Sequence, residues 1–175
     1  MLIGQALGCN VFYKHERLPE IVALLFLEGS SGRFRFSSAC GILFRMAGRE
    51  RDWMRQAESD HRHARNARED GDFDWACFAA QQSAEKALKA AHQAVGNEAW
   101  GHSVAELLHA LCAEVSVADG LMDRAHALDK LYIPTRYPNG LPGGAPADCY
   151  TRAEADRAIE DAEAVLALCR EVLSR

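Results

Sequence analysis

Between Glu50 and Arg175 apolar residues recur every three or four positions, the spacing that gathers them on one face of an α-helix turning about 100° per residue. Trp53, Ala57, Ala64 and Ala67 mark a first helix over residues 50–70, with Gly71 as its stop. Cys77, Ala80, Ala84, Ala87, Leu88, Ala91 and Val95 mark a second over 74–95, ending at Gly96-Asn97. So many small side chains predict close approach to neighbouring helices. A third helix opens at Ser103-Val-Ala-Glu106, whose Ser and Glu can cap each other's exposed backbone N–H groups, and carries Val104, Leu107, Leu108, Leu111, Cys112 and Val115. The fourth, about 119–132, uses Leu121, Met122, Ala125, Leu128 and Leu131.

Pro134, Pro138, Pro142 and Pro146, with Gly140, Gly143 and Gly144, then exclude helix from about 133 to 147. Loops of that length inside compact domains are usually functional or mobile. Thr151-Arg-Ala-Glu154 repeats the capping signature and starts a last helix to about residue 174, with Ala155, Ile159, Ala162, Val165, Leu166, Cys169, Val172 and Leu173 inward. The expected fold is an all-α antiparallel bundle of about five helices with a long Pro/Gly-rich loop before the last one.

Residues 1–45 lack this period, and Arg33-Phe-Arg-Phe36 alternates with no turn and partner strand behind it. The domain is therefore expected over 46–175. The first 45 residues are either a loosely attached extension or sequence upstream of a true start at Met46. The whole chain has 175 residues and a formal charge of −5, and the part after Met46 carries −7. A field of that sign repels phosphate, so a basic-arm or histone-like role is excluded and any nucleic-acid contact must come from a local basic patch. The longest apolar run, residues 21–27, is far short of the roughly 20 residues of a membrane span. A signal peptide is not expected either, and cytoplasm is the expected location.

The six cysteines contain no C-x-x-C pair, and the histidines show no H-E-x-x-H spacing, so no metal site or cofactor is expected. Cys77, Cys112 and Cys169 read as small core hydrophobes. Arg51, Arg55, Arg62 and Arg65 project within about 40° of one line on the first helix, opposite its apolar side. Such a stripe either grips phosphates or is simply a solvated face. Glu85 and Lys89 form an i,i+4 pair on the second helix, beside Gln81, Gln82 and His92. In Tyr132-Ile-Pro-Thr-Arg-Tyr-Pro138 the prolines stiffen the segment that presents Arg136 and Tyr137. Arg136 either meets an anion or nucleobase or caps helix carbonyls.

Four segments together resemble the HEPN domain family: Trp53-Met-Arg-Gln-Ala-Glu-Ser-Asp60, Asp74-Trp-Ala-Cys-Phe-Ala-Ala-Gln-Gln-Ser-Ala-Glu-Lys-Ala-Leu-Lys89, Gly101-His-Ser103 with Leu107-Leu108, and Thr135-Arg-Tyr-Pro138. The resemblance implies a helical bundle that dimerises, binds nucleotide or RNA, and partners a minimal nucleotidyltransferase in a toxin–antitoxin-like pair. It also implies, for many members, a metal-independent RNase with an Arg-x(4–6)-His motif near the last helices. Here the last histidine is His126, and the one formal match, Arg55 to His61, lies on the first helix. Two functions are therefore carried forward. In the first, a binding module presents Arg136, Tyr137, Lys89, Glu85, Arg51 and Arg55 to a nucleotide or RNA. In the second, a ribonuclease toxin uses His61 or His102 as acid/base and Arg55 or Arg136 to stabilise the phosphorane.

Overall fold

A computed structural model describes residues 48–175; the expectations for residues 1–45 fall outside them. The described chain is all-α: α1 (Glu50–Asp70), α2 (Phe73–Ala94), α3 (Val104–Leu111), α4 (Leu121–Asp129), the single turn α5 (Pro146–Cys149) and α6 (Arg152–Leu173). Five helices of eight or more residues make the antiparallel bundle, as the periodicity indicates, with no strand among the described residues.

Helices α1 and α2 form a hairpin whose corner needs Gly71, at φ 92°, a left-handed backbone conformation open chiefly to glycine. Ala57 and Ala64 on α1 and Ala76, Ala80, Ala84, Ala87 and Ala91 on α2 are wholly buried. Their small side chains let the two backbones approach closely enough for the Ser83 hydroxyl to donate to the Ala57 carbonyl at 2.7 Å. Helix α6 lies across both, inserting Ala155, Ala162, Val165, Leu166 and Cys169. Leu88, Leu108, Leu111 and Leu128 fill the space between α2, α3 and α4. The alanines of α2 are thus covered within one chain.

The capping box of α6 forms in full: Thr151 accepts from the Glu154 N–H and Glu154 accepts from the Thr151 N–H. At α3 only half of the expected box is present: Ser103 accepts from the Glu106 N–H, and other donors of the first turn go to Asp129 of α4. Its carboxylate accepts from the Ser103 hydroxyl (2.6 Å), the Val104 N–H (2.6 Å) and the Ala105 N–H (3.2 Å). Helix α4 is shorter than its apolar spacing indicates, since Pro134 has no N–H to donate and its ring obstructs the preceding turn. The chain passes from Lys130 to Arg136 in tight turns instead. The loop beyond is less irregular than expected: Pro138–Gly140 form a 3₁₀ turn, and Pro146, expected to forbid helix, occupies the first turn of α5, where no N–H is needed. A Cβ at Gly140 would lie 2.9 Å from the Pro134 Cα, so only glycine lets the loop fold back on that proline.

Cys77 and Cys169 are core residues, and burial pushes both thiols up to about 12, which keeps them protonated and inert. Cys112 departs from the expectation. It lies past the end of α3 and is exposed.

Candidate nucleotide-binding site

One flank of α2 bears Trp75, Phe78, Gln82, Glu85 and Lys89, spaced three and four apart and therefore in line. Glu85 is the buried centre of the group, at 3% exposure. Its carboxylate accepts from Lys89 Nζ at 2.8 Å, from Gln82 Nε2 at 3.1 Å and from Gln81 Nε2 at 3.5 Å. The imidazole Nδ1 of His102 stands 3.2 Å from the same carboxylate. Lys89 is nearly as enclosed and lies 5.6 Å from the centre of the Trp53 ring. The Glu85–Lys89 pair, whose spacing fits an ordinary surface ion pair, is part-buried, with its carboxylate inside.

The turn that carries His102 is fixed from two sides. Gln81 donates to the His102 carbonyl at 2.9 Å, and Asp129 ties down Ser103, Val104 and Ala105. The His102 ring stacks on Tyr132 at 5.1 Å with 17° between planes, while more than half of its side chain remains open to solvent. Tyr132 in turn stacks on Phe78, at 6.5 Å, and Trp75 meets Phe78 edge-on at 6.0 Å. Trp75, Phe78, Tyr132 and His102 thus form a continuous aromatic ledge.

Arg136 sits against that ledge. Its guanidinium is 4.5 Å from the Phe78 ring centre, 4.8 Å from Tyr132 and 5.1 Å from Tyr137, and Nε donates to the Tyr132 carbonyl at 3.0 Å. Of the two sequence alternatives the capped carbonyl is the one observed, made by the Nε edge of the fork. Each cation–ring contact contributes about 0.5–1 kcal/mol where exposed, enough to hold the planar fork without consuming its remaining donors. Thr135 is buried and donates to the Leu131 carbonyl, a structural role. Tyr137 is half exposed.

The fold therefore brings Arg136, Tyr137, Lys89, Glu85 and His102 together and leaves the α1 candidates elsewhere. Arg51 and Arg55 are exposed on the outer face of α1. His61 turns inward, at 4% exposure, and donates from Nε2 to Glu163 of α6 at 3.1 Å. Six positions on one helix rotate Arg55 and His61 about 120° apart and separate them by roughly 9 Å of rise. Burial pushes the His61 pKa below its ordinary value; Glu163 pulls it up, and Arg65 and Arg170 add to the lowering. Trp75 and Phe78, which lie in the Asp74–Lys89 segment but are not among the candidate site residues, join the site, as does Asp129. The α2 flank is readable from its spacing, whereas nothing local marks Asp129. Among the described residues no three His, Cys, Asp or Glu side chains converge as metal ligands.

The family model for the HEPN domain matches residues 50–172. The chain belongs to the HEPN domain family. Three solved structures share this HEPN fold over 71% of the chain and nearly their whole length. TT1696 from Thermus thermophilus is 50% identical, with a TM-score of 0.70 and 98% of that chain covered. An archaeal HEPN homologue, ST0689, is 38% identical, with a TM-score of 0.61 and 97% covered. A HEPN domain protein from Thermotoga maritima is 40% identical, with a TM-score of 0.59 and 98% covered. No curated protein matches the chain. Among the described residues of this HEPN domain no helix is long and apolar enough to cross a membrane.

Proposed function

We propose that this HEPN domain is a nucleotide- or RNA-binding module, acting in the cytoplasm with a minimal nucleotidyltransferase in a toxin–antitoxin-like two-component system. The observation that carries the reading is the seat of Arg136 among Phe78, Tyr132 and Tyr137, beside the exposed, stacked His102. Ring faces stack on bases at about 1–3 kcal/mol each, and a guanidinium held by rings keeps its fork free for a phosphate. Pairing the buried Glu85 with the part-buried Lys89 supports the same reading, because an ion pair withdrawn from water is seldom more stable than an apolar pair of the same volume. It fixes geometry instead. A homodimer belongs to this reading as well; Trp100, 82% exposed, and Ile133, 46% exposed, offer apolar surface for a second copy.

A second reading, a metal-independent ribonuclease, is favoured by one specific arrangement. His102 offers Nδ1 to the buried Glu85 carboxylate and shares the Tyr132 ring with Arg136, so an imidazole oriented by a carboxylate lies near a cation. One experiment separates the two. Isothermal titration of the full chain with ATP and with a short single-stranded RNA should show saturable binding, and co-expression with a nucleotidyltransferase encoded beside it should give a copurifying pair. The same RNA, recovered after incubation and run on a denaturing gel, should be intact for a binding module. Cleavage lost in His102→Ala would establish the ribonuclease. Silence in both titration and copurification sinks the binding module.

A further inference from the structure

Several nitrogen donors converge on the buried carboxylate of Glu85. Oε1 lies 2.8 Å from Lys89 Nζ and 3.2 Å from His102 Nδ1, while Oε2 lies 3.1 Å from Gln82 Nε2 and 3.5 Å from Gln81 Nε2. A carboxylate paired with an ammonium accepts hydrogen bonds and has none to donate, so the neutral His102 ring carries its proton on Nδ1. The two nitrogens of an imidazole diverge, and with Nδ1 on a buried group Nε2 is directed away from it. Nε2 makes no hydrogen bond among the described residues, and the side chain is 59% exposed. The ring is held in that pose by its stack on Tyr132 and by the bond from Gln81 to the His102 carbonyl.

The charged groups around His102 come from each element packed against it. Glu85 and Lys89 stand on α2, Asp129 at the end of α4, and Arg136 in the turns beyond, with the Tyr132 phenol between. Lys89 matches Glu85. The Asp129 carboxylate meets only the neutral donors of Ser103, Val104 and Ala105, so its charge formally offsets that of Arg136. The site is therefore close to neutral while His102 is uncharged, within an acidic bundle that repels phosphate. Neutral His102 also presents a lone pair at Nε2, which a phosphate oxygen cannot use. Imidazole is the side chain that ordinarily changes charge between about pH 5 and 8, and one proton on Nε2 alters both facts together. It makes the site positive and converts an acceptor into a charged donor. His102 and Arg136 lie 5.1 Å and 4.8 Å from the centre of the same Tyr132 ring. Two cations so placed repel one another until an anion joins them, so proton and anion each favour the binding of the other.

We propose that anion binding at the Arg136 site is proton-linked: Glu85 is the positioning residue that turns Nε2 of His102 outward, and a proton taken up there bonds the ligand's phosphate. This rests on the binding reading above and adds what regulates it.

The test titrates the full chain with a short 2′-O-methyl oligoadenylate bearing hydroxyl ends. Its phosphates are diesters that stay singly charged, and its backbone cannot be cleaved through a 2′-hydroxyl. From about pH 8 to pH 6 affinity should rise, by at most about tenfold per pH unit, the limit for one linked proton. Calorimetry at one pH in buffers of different ionisation enthalpy should show the matching proton uptake. In His102→Gln, which cannot titrate, affinity should be flat over this range and proton uptake absent. His102 is mostly exposed, so the variant folds as the parent does, which circular dichroism checks. Long-range proton–nitrogen NMR spectra of the free chain should show the neutral His102 ring protonated at Nδ1. Affinity independent of pH in the parent, a gain that survives in His102→Gln, or a neutral ring protonated at Nε2 overturns the proton link and leaves the Arg136 site standing. Absence of binding at every pH removes the binding reading and the link with it.

Discussion

His61 shows what burial does to a single titratable residue. Its Nε2 is satisfied by Glu163, and its Nδ1 is buried without a partner, an arrangement that suits the neutral ring. A proton added at Nδ1 would have no acceptor and would face Arg65 and Arg170, so burial first and these cations second hold the folded-state pKa below the ordinary 6.5. The unfolded chain then binds that proton more readily than the folded one. The stability that neutral His61 contributes is fully present above pH 6.5 and is lost as the pH falls through its lowered folded-state value. Thermal melts between about pH 7.5 and pH 5 should accordingly show a larger fall in Tm for the parent than for His61→Gln, which keeps a donor to Glu163 but does not titrate. Parallel slopes would contradict this. Such a role is not legible in the sequence. The helical period places His61 near the Ala57 and Ala64 side, yet nothing in it names the Glu163 that waits on α6. Glu85 and Lys89 are a similar case, since an i,i+4 spacing states adjacency and says nothing of depth.

At the level of the elements, what is legible is what is local. The box at Thr151 and Glu154 forms as read because both partners lie within one turn. The box at Ser103 and Glu106 forms only in part, and a carboxylate from another helix takes further donors of the same turn. Asp129 closes three donors at the start of α3, adding negative charge where the helix dipole is positive. It also joins the turn bearing His102 to the helix leading into Tyr132 and Arg136. Asp129→Ala should cost about 1–3 kcal/mol of stability, the usual penalty for unsatisfied donors, and should lower Tm by several degrees. Ser103→Ala, which removes one of those bonds and the N-cap bond from the Glu106 N–H, should cost about 0.5–2 kcal/mol. Equal melting temperatures for Asp129→Ala and the parent would show that Asp129 ties nothing together. The end of α4 departs from its pattern for a related reason: its apolar spacing runs on to Leu131, but Pro134 unwinds the turn before it.

Over the whole molecule, the period of three and four yields the number of helices and most of the core, since alanine and leucine positions on α2 and α6 have little alternative but to face one another. The convergence of separate elements is not legible in that way. His102 lies in the turn beyond α2, Arg136 in the turns beyond α4, and they meet on Tyr132 only because α3 and α4 pack as a pair against α2. The acidic balance of the bundle, −7 after Met46, also gains meaning from the fold. Carboxylates beside the ledge are matched by Lys86 and Lys89, and among the described residues Arg136 makes no ion pair. Ultraviolet cross-linking of a 4-thiouridine-substituted single-stranded RNA to the full chain, followed by peptide mapping, tests that placement most directly. Cross-links should fall on the peptides bearing Trp75, His102, Tyr132 and Tyr137 and should be lost in Arg136→Ala. Cross-links confined to the outer face of α6, or unchanged by Arg136→Ala, would contradict it.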